Sequence, residues 1–80
     1  MRLKTAMRRR ILELCAERNL HVTALERETG ITHTTLCNIL NGRNHSTTLL
    51  TLQRICEGLD MTIPEFFNSD LFRNLEQEIV

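Results

Sequence analysis

Apolar residues recur along this chain at the three- and four-residue intervals of α-helices, and no stretch shows the two-residue alternation of a half-buried strand. The first stripe predicts a helix over about residues 4–18, with Asn19 as its stop. A second, short helix is expected at about 22–29, because Gly30 can take the left-handed backbone that ends many helices. The stripe of the first helix consists of Leu3, Met7, Ile11, Leu14 and Cys15.

Two further helices each begin at a threonine. Thr32 suits an N-cap because its hydroxyl can accept from a free N–H of the first turn, and a helix over about 33–41 is expected after it. Thr48 can cap a fourth helix over about 49–58 in the same way. The apolar face of this fourth helix consists of Leu49, Leu52, Ile55, Cys56 and Leu59.

The C-terminal third begins with the pattern of a capping box, Thr-Ile-Pro-Glu at residues 62–65, which predicts a short fifth helix carrying Phe66 and Phe67. Beyond Ser69 another helix-spaced stripe allows a short sixth helix. This stripe either closes the domain's own core or is buried against a second copy in a symmetric dimer. Its residues, the candidates for a dimer interface, are Leu71, Phe72, Leu75 and Ile79.

Length and composition fit one small all-α domain. Eighty residues with 41% hydrophobic side chains can bury a single core. No apolar run reaches the length of a membrane span, and charges interrupt the N-terminal segment, so neither a membrane protein nor a signal peptide is expected. The expected location is the cytoplasm. The three scattered cysteines do not form a disulfide framework.

The charge distribution is uneven although the net charge is zero. Residues 1–45 carry eight Lys/Arg and four Asp/Glu, whereas residues 46–80 carry two and six. Either these are solvated helix faces, or the basic half presents a surface to an anion. The densest basic run is Arg8, Arg9 and Arg10. Either it is a solvated face of the first helix, or it supplies contacts at the edge of a binding site.

The segment GITHTTLCNILNG, residues 30–42, carries the strongest functional signal. On its helix Thr34, Asn38 and Asn41 fall opposite the apolar side. The strong helix formers Glu, Lys, Arg, Gln and Ala are absent between Thr32 and Asn41. Either a short helix tolerates these residues, or the helix must approach another surface closely and hydrogen-bond to it. The major groove of DNA is such a surface, because Asn can pair with adenine through two hydrogen bonds.

The order helix, Gly-Ile-Thr, helix resembles the lambda-repressor/Cro-like, XRE-type helix-turn-helix family. The similarity spans roughly residues 4–67 and continues through GRNHSTTLLTLQRICEGLDMTIPEFF, residues 42–67. It implies a five-helix domain over residues 1–68 followed by a helical tail over 69–80. The residues that carry the resemblance around the turn are Leu25, Gly30, Ile31, Thr32, Leu36, Ile39, Leu40 and Gly42.

The resemblance also implies roles for individual residues. The helix-turn-helix unit is residues 22–41, and its second helix, 33–41, is the recognition helix. The positions at which relatives read bases are occupied here by His33, Thr34 and Asn38. The positions at which relatives contact the DNA backbone are occupied by Thr35, Arg43 and Asn44.

Two positions depart from the family pattern. Val22 stands where relatives often have a phosphate-binding Gln, which leaves that contact to Thr23 or to a backbone N–H. Glu26 stands where relatives usually have Ala packed against the recognition helix. Either the two helices are slightly splayed, or Glu26 turns outward to pair with a base.

The expected function is therefore sequence-specific binding of double-stranded DNA by a homodimeric transcriptional repressor that needs no cofactor. Two alternatives stay open: an antitoxin of the same fold with a toxin partner, and a protein-interaction module that no longer binds DNA. An enzyme is not expected, because no nucleophile–base pair, paired carboxylates or phosphate-binding loop is apparent. A zinc site at His33, Cys37 and His45 lacks a fourth ligand, and a redox role for Cys37 lacks a nearby resolving cysteine.

Overall fold

The computed structural model describes residues 1–43 and 47–77, and this part of the chain is all-α with five helices, as predicted. The first four helices lie within one residue of their predicted bounds, and the short fifth helix carries Phe66 and Phe67 as expected. None of the helices in these two ranges is both long and apolar enough to cross a bilayer. The helices are α1 (Leu3–Glu17), α2 (Val22–Thr29), α3 (His33–Leu40), α4 (Leu49–Gly58) and α5 (Ile63–Phe67).

Threonine side chains cap the last three helices, which confirms the predicted starts. Thr32 Oγ1 accepts from the N–H of Thr35 at 3.3 Å, and Thr48 caps α4 in the same way. At α5 the capping box is complete, because Thr62 Oγ1 accepts from the N–H of Glu65 while Glu65 Oε1 accepts from the N–H of Thr62 at 3.1 Å. Hydrogen bonds from the backbone N–H and then the hydroxyl of Thr62 lower the pKa of the Glu65 carboxyl.

The turn between α2 and α3 has the predicted left-handed glycine. Gly30 has φ of +72°, and its N–H donates to Glu26 O at 2.8 Å. Thr29 fixes the same turn from the side: its hydroxyl donates to Leu25 O at 2.7 Å and accepts from the N–H of Ile31 at 3.2 Å. The direction in which the chain enters α3 is thus set by hydrogen bonds within α2 and the turn.

One core joins all five helices, and α2 lies at its centre because it packs against both α3 and α4. The approach of α4 to α2 requires a glycine. A Cβ on Gly58 would lie 2.5 Å from Cγ2 of Thr29 and 3.3 Å from Cβ of Glu28. The buried residues of this core are Ile11, Leu14, Leu25, Ile31, Leu36, Ile39, Leu52, Ile55, Cys56, Leu59 and Phe66.

Arg10 connects α1 to the end of α5, which neither alternative for the arginine run foresaw. Its Nε donates to Phe66 O at 2.7 Å, and Nη2 donates to Glu65 O at 3.1 Å. Its Nη1 lies 2.9 Å from Oε1 of Glu13 on the same helix. Only 12% of the Arg10 side chain is exposed, so this arginine belongs to the structure of the domain. Its guanidinium therefore does not belong to a solvated helix face.

The C-terminal segment differs from the predicted helical tail. Within the described residues it forms one 3-10 turn, Asp70–Phe72, and then no regular structure. The Phe72 ring packs against Phe67, with ring centroids 4.8 Å apart, so it joins the domain's own aromatic cluster. The N–H of Glu76 donates to Met1 O at 3.1 Å, and this bond takes the place of a helical bond to Phe72.

Candidate nucleic-acid interface

Helix α3 has two faces with different environments. Leu36 and Ile39 are buried in the core and hold the helix in place. The opposite side, which we call the outer face of α3, consists of His33, Thr34, Thr35 and Asn38, of which the first three are exposed and Asn38 is half-buried. With its side chains an α-helix is about 10–12 Å in diameter, which fits the major groove of B-DNA, about 12 Å wide.

A chain of polar contacts crosses from α2 to α3 at His33. The Nδ1 of its ring lies 2.8 Å from Oε2 of Glu26, and Nε2 lies 3.3 Å from Sγ of Cys37. Glu26 thus turns toward the recognition helix and pairs with a side chain of that helix. The spacing of residues 33 and 37 placed them on one helix side, but the contact with Glu26 depends on the α2–α3 turn, and no sequence pattern predicted it.

The first turn of α3 offers donors to an anion. The hydroxyl of Thr32 donates to Thr35 Oγ1 at 2.9 Å, which leaves the proton of the Thr35 hydroxyl for an outside acceptor. Unpaired N–H groups and the helix dipole make the N-terminus of α3 favourable for negative charge. This geometry fits the phosphate contact that the resemblance implies for Thr35, which stays a prediction.

The turn after α3 places two arginines beside it. The N–H of Arg43 donates to Asn38 O at 2.9 Å, and the Arg43 side chain is exposed. Gly42 has φ of +73°, and the position of a Cβ on it lies 4.0 Å from Cδ of Arg8. Arg8 therefore lies against the end of the recognition helix, where a guanidinium can reach a phosphate. From the sequence, Arg8 shared with Arg9 and Arg10 only the general expectation of contacts at the edge of the binding site.

The first turn of α2 carries no Lys or Arg. Val22 is half-buried and packs against the core, so the position where relatives often have Gln serves the interior here. Thr23 is exposed next to it, at the start of the helix, where its hydroxyl can donate to a phosphate. Its DNA contact remains a prediction.

Some of the predicted residues fall outside the part of the chain that the structure describes. Asn44, His45 and Ile79 lie outside the described residues. Within residues 1–43 and 47–77 no group of three His, Cys, Asp or Glu side chains could hold a metal ion. All three cysteines are free. Burial raises the pKa of the Cys15 and Cys56 thiols, which pack as small apolar side chains in and beside the core.

The comparison with protein families agrees with this geometry. The model of the Cro/C1-type HTH DNA-binding domain matches residues 10–69, which is most of the chain. The matched region begins inside α1 and ends just past α5, so it includes both helices of the helix-turn-helix unit and the core that supports them. A search of the curated proteins finds no significant match.

Proposed function

Because the chain belongs to the Cro/C1-type helix-turn-helix DNA-binding family and is a DNA-binding regulator, we propose that it is a sequence-specific repressor acting in the cytoplasm. In this proposal α3 enters the major groove of double-stranded DNA and reads bases with its outer face. Bound at an operator next to a promoter, the domain prevents transcription by occupying the DNA. Members of this family are typically not enzymes.

The observation that carries the proposal is the outer face of α3. His33, Thr34 and Asn38 lie on the side of the helix that does not pack into the core, so their polar groups can reach an outside partner. The Asn38 amide can donate to and accept from the edge of adenine, and the methyl group of Thr34 can contact the methyl of thymine. These short side chains allow the helix backbone itself to come close to the bases.

Backbone contacts surround this base-reading face. Thr35 at the start of α3, Thr23 at the start of α2 and Arg43 after α3 are exposed and can contact phosphates on both sides of the groove. Arg8, which lies against Gly42, adds a fourth candidate. Phosphate contacts fix the position of the protein on the duplex, whereas the base contacts supply the specificity.

We also propose that two copies bind together. Related domains place two recognition helices about 34 Å apart, one turn of DNA. The described tail supplies two half-buried apolar side chains, Leu71 and Leu75, which can contact a second copy. Phe72 is occupied in the aromatic cluster of its own domain, so it is the weaker of the predicted dimer contacts.

Selection of random duplex DNA by the purified protein at near-physiological salt tests this proposal. Enrichment of a palindromic motif is expected, since two symmetric copies read two half-sites. Enrichment of a single half-site would support sequence-specific DNA binding but contradict the proposal that two copies bind together. If the folded protein enriches no motif, the proposal of sequence-specific repression is wrong.

Two substitutions test the residue roles. Asn38→Ala should cost roughly 1–3 kcal/mol on the selected site and relax the preference at one base pair. Arg43→Ala should weaken binding to all sequences about equally and lower the salt slope by about 1. Gln53→Ala removes an amide from an exposed position of α4 and serves as the matched control, with no change expected. Unchanged base selectivity in Asn38→Ala would show that this residue does not read a base.

A second candidate function is an interaction module that binds a protein partner in place of DNA. The observation that favours it is the carboxylate of Glu26 beside α3, because a negative charge on this face opposes a polyanion. The two functions differ in salt dependence: affinity for DNA falls linearly with the logarithm of salt concentration, with a slope set by the phosphates contacted. Absence of that slope would favour the module.

A further inference from the structure

The contact between Glu26 and His33 joins two helices at the centre of the proposed DNA-reading site. His33 is the first residue of α3 and its side chain is 61% exposed, whereas the Glu26 side chain is 29% exposed. The imidazole ring lies between the Glu26 carboxylate at Nδ1, at 2.8 Å, and the Cys37 thiol at Nε2, at 3.3 Å. Both ring nitrogens therefore have partners, while the ring itself remains accessible from outside.

The carboxylate of Glu26 selects one tautomer of the neutral ring. An ionised carboxylate can only accept, so Nδ1 of His33 must carry the proton that lies between it and Glu26. Nε2 is then the unprotonated nitrogen, and its lone pair can accept from the S–H of Cys37. The contact with Glu26 requires this proton position, and the contact with Cys37 is compatible with it, because a thiol can donate as well as accept.

We propose that Glu26 determines which bases His33 reads, by holding the ring in the tautomer whose Nε2 presents a lone pair to the major groove. In that groove the exocyclic amino groups of adenine and cytosine are donors, whereas the carbonyl oxygens of guanine and thymine are acceptors. An Nε2 lone pair accepts from the former and has no proton to offer the latter. The inference rests on the proposed function, in which α3 enters the groove.

The thiol of Cys37 does not prevent this use of the ring. A thiol is a weak donor, so an amino group of a base can replace it at Nε2 with a stronger hydrogen bond. Glu26, by contrast, approaches the ring from α2 and stays in place when Nε2 changes partner. Glu26 is thus a positioning residue that acts through His33.

Selection from random duplex DNA with four proteins tests the proposal. His33→Ala identifies the base pair that His33 reads, as the position where its preference disappears. The wild-type protein should favour adenine or cytosine there by roughly three- to tenfold, the range of one hydrogen bond. Glu26→Ala should lose that preference while the rest of the motif remains. Glu28→Ala removes the same charge from an exposed position of the same helix and should keep the whole motif.

A spectroscopic measurement follows the tautomer directly. The ¹⁵N shifts of the neutral His33 ring in the free, folded protein should show the proton on Nδ1 in the wild type. In Glu26→Ala they should show a rapidly exchanging mixture of the two neutral tautomers. Glu26→Gln retains the size of the side chain if alanine disturbs the fold. Its amide can donate as well as accept, so it allows both tautomers and should also lower the preference.

The outcomes separate this proposal from the one on which it rests. If the wild type enriches no motif, both are wrong. If it enriches a motif but favours guanine or thymine at the His33 position, the lone-pair assignment is wrong while DNA reading stands. A wild-type ring with its proton on Nε2, or an undiminished preference in both Glu26 variants, likewise overturns the role of Glu26 alone.

Discussion

Replacing Arg10 by alanine should destabilise the domain more than any other change to its basic run. The guanidinium donates to two backbone carbonyls of α5, those of Glu65 and Phe66, from a helix more than fifty residues earlier in the chain. Both oxygens belong to the C-terminal end of a five-residue helix. Glu65 O also accepts from the N–H of Asn68 at 3.2 Å, whereas Phe66 O lies in the last turn, where carbonyls have no partner within the helix. Without Arg10, the bond to Phe66 O is lost at a half-buried site, and the link between α1 and α5 is lost with it.

The expected size of this effect follows from the three contacts. A hydrogen bond from a charged donor contributes about 1.5–3 kcal/mol, and the bond to the half-buried Phe66 O should count in full. Glu65 O is exposed and keeps its bond from the N–H of Asn68, so the loss of its bond to Arg10 costs little. The pair with half-exposed Glu13 adds at most about 1 kcal/mol. The free energy of unfolding should therefore fall by about 2–3 kcal/mol in Arg10→Ala. In a domain of this size that lowers Tm by roughly 10–20 °C.

Urea unfolding followed by circular dichroism measures this change. Arg9→Ala is the matched control, because Arg9 is the exposed neighbour on the same helix and should change stability by no more than about 0.5 kcal/mol. Arg10→Lys should recover only part of the loss, since one ammonium cannot reproduce the planar fork that reaches two carbonyls. Equal stabilities of Arg10→Ala and Arg9→Ala would refute the reasoning.

Three further predictions concern contacts that stabilise the domain around the proposed site. Gly58→Ala should cost about 1–3 kcal/mol in urea unfolding despite its better helix propensity, because its Cβ would meet Cγ2 of Thr29. Adding Thr29→Ser, which removes that methyl, should restore part of the loss; no recovery would contradict the steric explanation. The pKa of Glu65 is lowered by Thr62, so its contribution to stability is present above the pKa of an unfolded glutamate and is lost as pH falls through the folded value. Glu65→Gln should therefore show a smaller loss of stability on acidification than the wild type, and parallel curves would exclude this contribution. Phe72→Ala should lower Tm, because its ring packs against two other phenylalanines; an unchanged Tm together with a weakened dimer would assign the ring to the second copy instead.

The helices were predictable because their signals are local. A threonine before an apolar period predicts a helix start wherever the helix later packs, and Thr32, Thr48 and Thr62 all proved to be caps. The left-handed turn at Gly30 is similarly a property of the backbone at one residue. The side of α3 that carries Thr34 followed from the helical period alone.

The features that the sequence did not predict are contacts between elements that are distant in the chain. Successive residues of a helix point about 100° apart, so Arg8, Arg9 and Arg10 face three directions, and only the packed structure decides which of them meets another element. Arg8 lies against the end of α3, Arg9 is exposed, and Arg10 binds the backbone of α5. The apolar period of the tail predicted a helix, but the N–H of Glu76 found its partner in the first residue of the chain.

The separation of the two faces of α3 has a consequence for redesign. Because Leu36 and Ile39 fix the helix to the core, the side chains of the outer face of α3 can be exchanged for those of another DNA-binding domain at little cost in stability. A transplanted set of outer residues should bring its operator preference with it. Glu26 of the neighbouring helix must be transplanted together with His33, since without this carboxylate nothing fixes the tautomer of the histidine ring.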